Sequence, residues 1–112
     1  MSRIDPAIVI RQMHEHAKEL LAICADKTVT SFQNDRLLNL AATRLLEIIG
    51  EGANRLGRTS IDRYPRIPWA EIIALRNRLI HGYDAVDLQI IWNVIQNDIP
   101  SLMAELEKVD FS

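Results

Sequence analysis

The sequence predicts an all-α four-helix bundle with a kinked last helix, on three observations. Four stretches repeat apolar residues at steps of three and four, none alternates as a half-buried strand does, and the links between most of them are short. The first helix is expected to open with Asp5 as N-cap and Pro6 at its first position. Its stripe of Ile10, Met13, Ala17, Leu20, Leu21 and Cys24 ends near Asp26. Thr30 and Gln33 have capping-box spacing ahead of the second helix, which steps through Leu38, Ala42, Leu45, Ile49, Ala53 and Leu56 to a stop at Gly57. From Gly57 to Pro68 the prolines 65 and 68 predict the longest irregular stretch, because each biases its preceding residue away from helix. The third helix opens at Pro68 and Trp69, presents Ile72, Ile73, Leu75, Leu79 and Ile80, and runs out at His81 before Gly82. The fourth starts around Asp87 and carries the cleanest stripe: Leu88, Ile91, Ile95, Ile99, Leu102, Leu106 and Val109. Pro100 inside it removes a backbone donor and crowds the preceding turn, hence the expected kink.

Composition narrows the function classes. With 48% apolar and 25% charged residues in 112, the chain can close one hydrophobic core without metal or disulfide support. No apolar run approaches the roughly 20 residues of a membrane span, and no signal-peptide succession opens the chain, so a cytoplasmic protein with no membrane association is expected. The single cysteine, Cys24, lies in an apolar stripe and reads as a buried reduced thiol. A net charge of -2 argues against a dedicated nucleic-acid binder, but the charge is uneven. Residues 55–81 hold six arginines (55, 58, 63, 66, 76 and 78) against only Asp62 and Glu71, while the rest of the chain carries seven basic and thirteen acidic residues. A cationic region on an acidic body suits an anionic ligand met in one place, since the guanidinium fork matches phosphate; an ordinary solvated arginine-rich loop has the same composition.

The most informative segment is Arg76-Asn77-Arg78-Leu79-Ile80-His81-Gly82-Tyr83, which gathers polar groups at the end of an apolar helix. In a regular helix Arg76 and His81 would stand about 140° apart, too far round to meet on one small group. Either Gly82 ends the helix and frees His81, or a two-fold dimer lets the same helix end from two copies line one cleft.

The spacing Arg76, four residues, His81, one residue, Tyr83 resembles the R-x4-H-x-Y motif of HepT-like proteins in the HEPN superfamily, and Asn77 fits the polar residue that follows the motif arginine. The similarity extends to Ile49-Gly50-Glu51-Gly52-Ala53, to Ile67-Pro68-Trp69 and to the helix order, so that residues 1–112 read as one HEPN-like helical domain. Gly52 departs from the alanine that relatives tend to carry, which bears only on local helix stability. The resemblance implies a metal-independent endoribonuclease and homodimer with no cofactor, whose two motifs share the dimer groove. It implies a toxin whose partner is an MntA-type nucleotidyltransferase antitoxin, with Tyr83 accepting AMP. A catalytically idle HEPN adaptor that only binds such a partner is the alternative.

The residue types suit RNA cleavage by attack of the ribose 2'-OH. His81 can exchange protons near neutral pH, and Arg76 can hold the scissile phosphate and its transition-state charge. Asn77 and Arg78 can help position the RNA backbone, and the expected ends are a 2',3'-cyclic phosphate and a 5'-hydroxyl. The structural alternatives are His81 as a helix C-terminal cap, Arg76 paired with Glu51 or Glu71 inside the bundle, and Tyr83 as a packing ring. No metal is expected: His14 and His16 flank Glu15 at a spacing that sends their rings to nearly opposite sides, and no Glu-x-x-His pair occurs.

Overall fold

The computed structural model describes residues 5–81 and 87–109, and for residues 58–60 and 81 the backbone alone. Asp5 accepts a hydrogen bond from the Ala7 N–H at 2.9 Å and opens α1 (Pro6–Cys24), whose buried stripe is Val9, Ile10, Met13, Ala17, Leu20 and Cys24. Leu21 is only half-buried. Burial pushes the Cys24 thiol up from its ordinary range, against a smaller opposing effect of the Lys27 ammonium.

The capping box expected at Thr30 and Gln33 forms instead two residues earlier. Thr28 Oγ1 accepts from the Ser31 N–H at 3.1 Å and Ser31 Oγ accepts from the Thr28 N–H at 2.9 Å, opening a short α2 (Val29–Asn34). A cap residue needs extended backbone, which Thr28 has (φ -107°, ψ 167°), whereas Thr30 already lies inside the helix. Asp35 then leaves the helical region and caps α3 (Arg36–Arg55), accepting from the Leu38 N–H at 3.0 Å. Asp35→Ala is expected to cost about 1 kcal/mol and to lower the melting midpoint by roughly 4 °C or more, measured by circular dichroism. The predicted stripe of α3 is buried throughout.

The stretch from Gly57 to Pro68 is less irregular than its prolines suggest, because it contains α4 (Arg58–Arg63). Gly57 does not end α3 by a left-handed turn. Leu56 is extended and buried, Gly57 is extended as well, and its carbonyl accepts from the Ile61 N–H at 3.1 Å to start α4. Pro65 acts only on its predecessor: Tyr64 leaves the helix there at φ -122°, ψ 65°.

Next come α5 (Trp69–His81) and α6 (Leu88–Asn93), the latter capped by Asp87, which accepts from the Gln89 N–H at 2.8 Å. The predicted helix stop at Gly82 lies outside the described residues. The kink expected at Pro100 takes the form of a π-helical turn, Val94–Asp98, followed by α7 (Ile99–Glu107). The Ile99 N–H bonds the Val94 carbonyl five residues back, and Pro100 falls in the first turn of α7, where a missing donor costs least.

The four long members of the bundle are α1, α3, α5 and the rod α6–α7, and no strand occurs among the described residues. α3 lies along α1 on one side and α5 on the other, and α1 also lies along α7. Phe32 of α2 meets Trp92 of α6 with ring centroids 5.2 Å apart at 41°, a tilted contact that ties the short helix to the rod. His14 of α1 and Glu107 of α7 meet at 3.0 Å. Among the described residues no helix is long and apolar enough to cross a membrane.

Candidate active site

The Arg76 segment is fixed from the start of α5. Trp69 is buried beside Ile67, and its indole Nε1–H donates to the Tyr64 carbonyl at 2.9 Å, clamping the chain before the helix onto its first turn. Seven residues on, Arg76 leaves α5 within about 20° of the same face and about 10 Å further along.

That face meets α3 at Gly50. A Cβ built on Gly50 would stand 2.2 Å from Arg76 Cβ, 2.8 Å from its Cγ and 3.3 Å from its Cα, so the two helices approach this closely only because residue 50 has no side chain. Arg76 is therefore half-buried, with its stem against α3. Its Nη1 donates to Asn77 Oδ1 at 2.9 Å, and its Nε is buried without an acceptor among the described residues.

The pairing of Arg76 with Glu51 or Glu71 does not occur among the described residues. Glu51 accepts instead from Arg44 at 3.4 Å, in a cluster where Arg44 also reaches Glu47 at 3.2 Å. Glu71, in the first turn of α5, borders a small apolar cavity of about 50 Å³ between α3, α5 and the rod, which Asp98 also lines. The guanidinium of Arg76 is thus not spent on a carboxylate of the described bundle.

The other predicted site residues are placed unequally. Asn77 is exposed and joined to Arg76 by the hydrogen bond above. Arg78 is exposed and leaves α5 about 200° round from Arg76, so the two do not face one way. The backbone of α5 is still helical at His81, whose side chain is not described, and Tyr83 lies outside the described residues. Gly50 is the residue whose role sequence reasoning missed. Its signal was available: a glycine deep in a strong helix costs about 1 kcal/mol of helix propensity and calls for a packing reason.

A family model described as ribonuclease HepT-like matches residues 13–109. A Methanocaldococcus jannaschii protein with the provisional name of an RNase is 31% identical over 97% of this chain and the whole of the relative. A Thermococcus cleftensis protein provisionally named ribonuclease HepT is 35% identical over 94% of this chain and 89% of the relative. No solved structure matches. With the family model spanning nearly all of the helical bundle and relatives aligned end to end, the chain belongs to the HepT-like ribonuclease family of the HEPN superfamily.

Proposed function

We propose that this protein is a metal-independent endoribonuclease that cuts RNA by 2'-OH attack, with Arg76 holding the scissile phosphate and His81 exchanging the protons. The observation that carries the reading is the unpaired state of Arg76: a half-buried guanidinium with no carboxylate partner among the described residues and a buried Nε lacking an acceptor. A charged donor in that condition gains most from an incoming anion, since leaving it unsatisfied costs roughly 1–3 kcal/mol or more. Asn77, bonded to Arg76, orients it, and Arg78 on the exposed side meets RNA backbone further out. Cleavage of single-stranded RNA in chelator-treated buffer, with 2',3'-cyclic phosphate ends, tests the reading, and intact RNA under those conditions ends it.

The helical backbone at His81 favours a shared site. With α5 regular from Arg76 to His81, the backbone between them does not bring the two side chains together, and a homodimer supplies the convergence by setting one copy's α5 end beside the other's. The provisional names of the relatives support an RNA substrate, and the toxin role with an MntA-type nucleotidyltransferase antitoxin rests on the family resemblance.

Tyr83, two residues past His81, is the proposed AMP acceptor: AMP there would set a phosphate and a bulky base at the mouth of a cleft that must receive RNA phosphate. Tyr83→Phe deletes the hydroxyl and keeps the ring. It is expected to retain ribonuclease activity but to take up no label from ATP in the presence of the nucleotidyltransferase. Equal labelling of parent and variant would show another acceptor, and loss of cleavage with the hydroxyl would move Tyr83 into the catalytic apparatus.

A further inference from the structure

Most of the arginines that make residues 55–81 basic are not drawn into the site proposed above. Two of them, Arg63 and Arg66, flank a cavity of about 470 Å³ formed where the segment between α4 and α5 faces the end of α7. Tyr64, Ile67 and Val109 give it an apolar wall. Lys108 adds a third cation, but its Nζ is bonded to Glu105 Oε1 at 3.2 Å, so the one carboxylate that lines the cavity among the described residues is already engaged. Arg63 and Arg66 are exposed and have no carboxylate in ion-pair range among the described residues.

The aromatic group is held in place. The Tyr64 backbone is fixed by the indole of buried Trp69, and the Arg63 guanidinium carbon lies 5.6 Å from the Tyr64 ring centroid, a cation over an aromatic face. A half-buried ring flanked by two guanidinia with no carboxylate partner among the described residues matches a ligand that alternates a flat aromatic group with an anion, as a nucleotide does. The volume lies within the roughly 300–1,000 Å³ of small-ligand sites and accommodates one nucleotide. An acidic peptide would satisfy the guanidinia but leave the ring without a stacking partner.

We propose that the cavity of Arg63, Tyr64 and Arg66 is a second contact for single-stranded RNA, holding a nucleotide a few places along the strand from the phosphate at Arg76. The proposal rests on the ribonuclease reading for the identity of its ligand. Trp69, whose indole holds the Tyr64 carbonyl, stands seven residues and about 10 Å along α5 from Arg76, so a strand of a few nucleotides is long enough to reach both sites. On a chain of net charge -2, such a local cationic site decides where a polyanion settles.

The test is fluorescence anisotropy with 2'-O-methyl RNA, which lacks the attacking hydroxyl, as an oligomer long enough to reach both sites and as a dinucleotide. Arg63→Gln combined with Arg66→Gln should weaken oligomer binding at least tenfold and flatten its logarithmic salt dependence by about 1.4, the value for two lost phosphate contacts on a single strand. Tyr64→Leu should weaken it about tenfold with the salt slope kept, because stacking carries no counterion release. Dinucleotide binding should fall less than oligomer binding in all of them, because a dinucleotide can still sit at Arg76 alone, whereas only the oligomer gains from both sites at once. Both arginines are exposed, so the double variant should keep its helical content whatever Tyr64→Leu does to folding.

Unchanged oligomer affinity in the double variant overturns the cavity assignment, and if the parent then cuts RNA the ribonuclease reading stands without it. The predicted loss of affinity in a protein that never cuts RNA upholds the cavity and removes the catalytic reading instead. Unchanged RNA affinity with loss of a co-purifying nucleotidyltransferase would assign the surface to a protein contact and overturn the RNA proposal.

Discussion

His81→Ala is expected to slow RNA cleavage in chelator-treated buffer by about 10^2- to 10^4-fold, the usual contribution of one general acid-base group. Arg76 should matter as much, since removing a preorganised donor to transition-state charge commonly costs about 10^2- to 10^3-fold. The structure adds a sharper form of this prediction. Because Arg76 Nε is buried without an acceptor among the described residues, Arg76→Met keeps the stem against α3 and removes an unsatisfied charged donor. That variant should be at least as stable as the parent while losing cleavage, which separates a functional arginine from a structural one. Thermal melts and single-turnover cleavage on the same preparation decide it. Undiminished cleavage in either Arg76→Met or His81→Ala would show that the proposed roles are wrong.

The second large effect is expected at Gly50. Gly50→Ala would place a methyl within 2.2 Å of Arg76 Cβ and 3.3 Å of its Cα, so α5 itself has to shift rather than one flexible chain end. Overpacking of this kind costs about 1–3 kcal/mol, and cleavage should fall because Arg76 moves with the helix. Gly52 offers the matched contrast two residues away. There a Cβ meets Met13 Cγ at 2.9 Å and Sδ at 3.4 Å, and the thioether can rotate aside. Gly52→Ala should therefore be neutral or stabilising by up to about 1 kcal/mol through helix propensity. Melting curves for the two variants test the difference, and equal losses would mean that the close approach at Gly50 is not what holds α5 in place.

The sequence revealed the long helices well because their apolar stripes, the Asp5 cap and the start near Asp87 are local features. It misplaced what depends on competition between local features. Thr30 and Gln33 have capping spacing, but Thr28 and Ser31 satisfy each other, and Asp35 takes the cap of α3. The helix at Arg58–Arg63 was hidden because Pro65 and Pro68 suggest an open loop, although a proline constrains only itself and its predecessor. At the candidate site the spacing of Arg76, His81 and Tyr83 is a feature of the sequence itself. The burial of Arg76 and its freedom from Glu51 were not, since both depend on where Gly50 of another helix falls and on Arg44 engaging Glu51 first. The helical twist likewise puts Arg76 and His81 about 140° apart in a regular helix, and a convergence supplied by a second copy, as proposed above, would be a property of two chains that one sequence does not display.

The wide turn at Val94–Asp98 sets the phase of everything after it. In a continuous α-helix the four-residue steps from Ile91 to Ile95 to Ile99 would each drift about 40° around the axis, and the apolar stripe would peel off the core. Bonds reaching five residues back hold more chain in the turn and absorb that drift, so all three isoleucines stay buried and Leu102 and Leu106 continue below them. The rod therefore carries what amounts to one inserted residue, and the chemistry downstream is aimed by it. Taking a residue out of that turn would turn the whole of α7 by about 100° against α6, and Glu105 and Lys108 would sweep away from Arg63 and Arg66. The length of one turn, rather than any contact at the cavity, decides which side chains meet there.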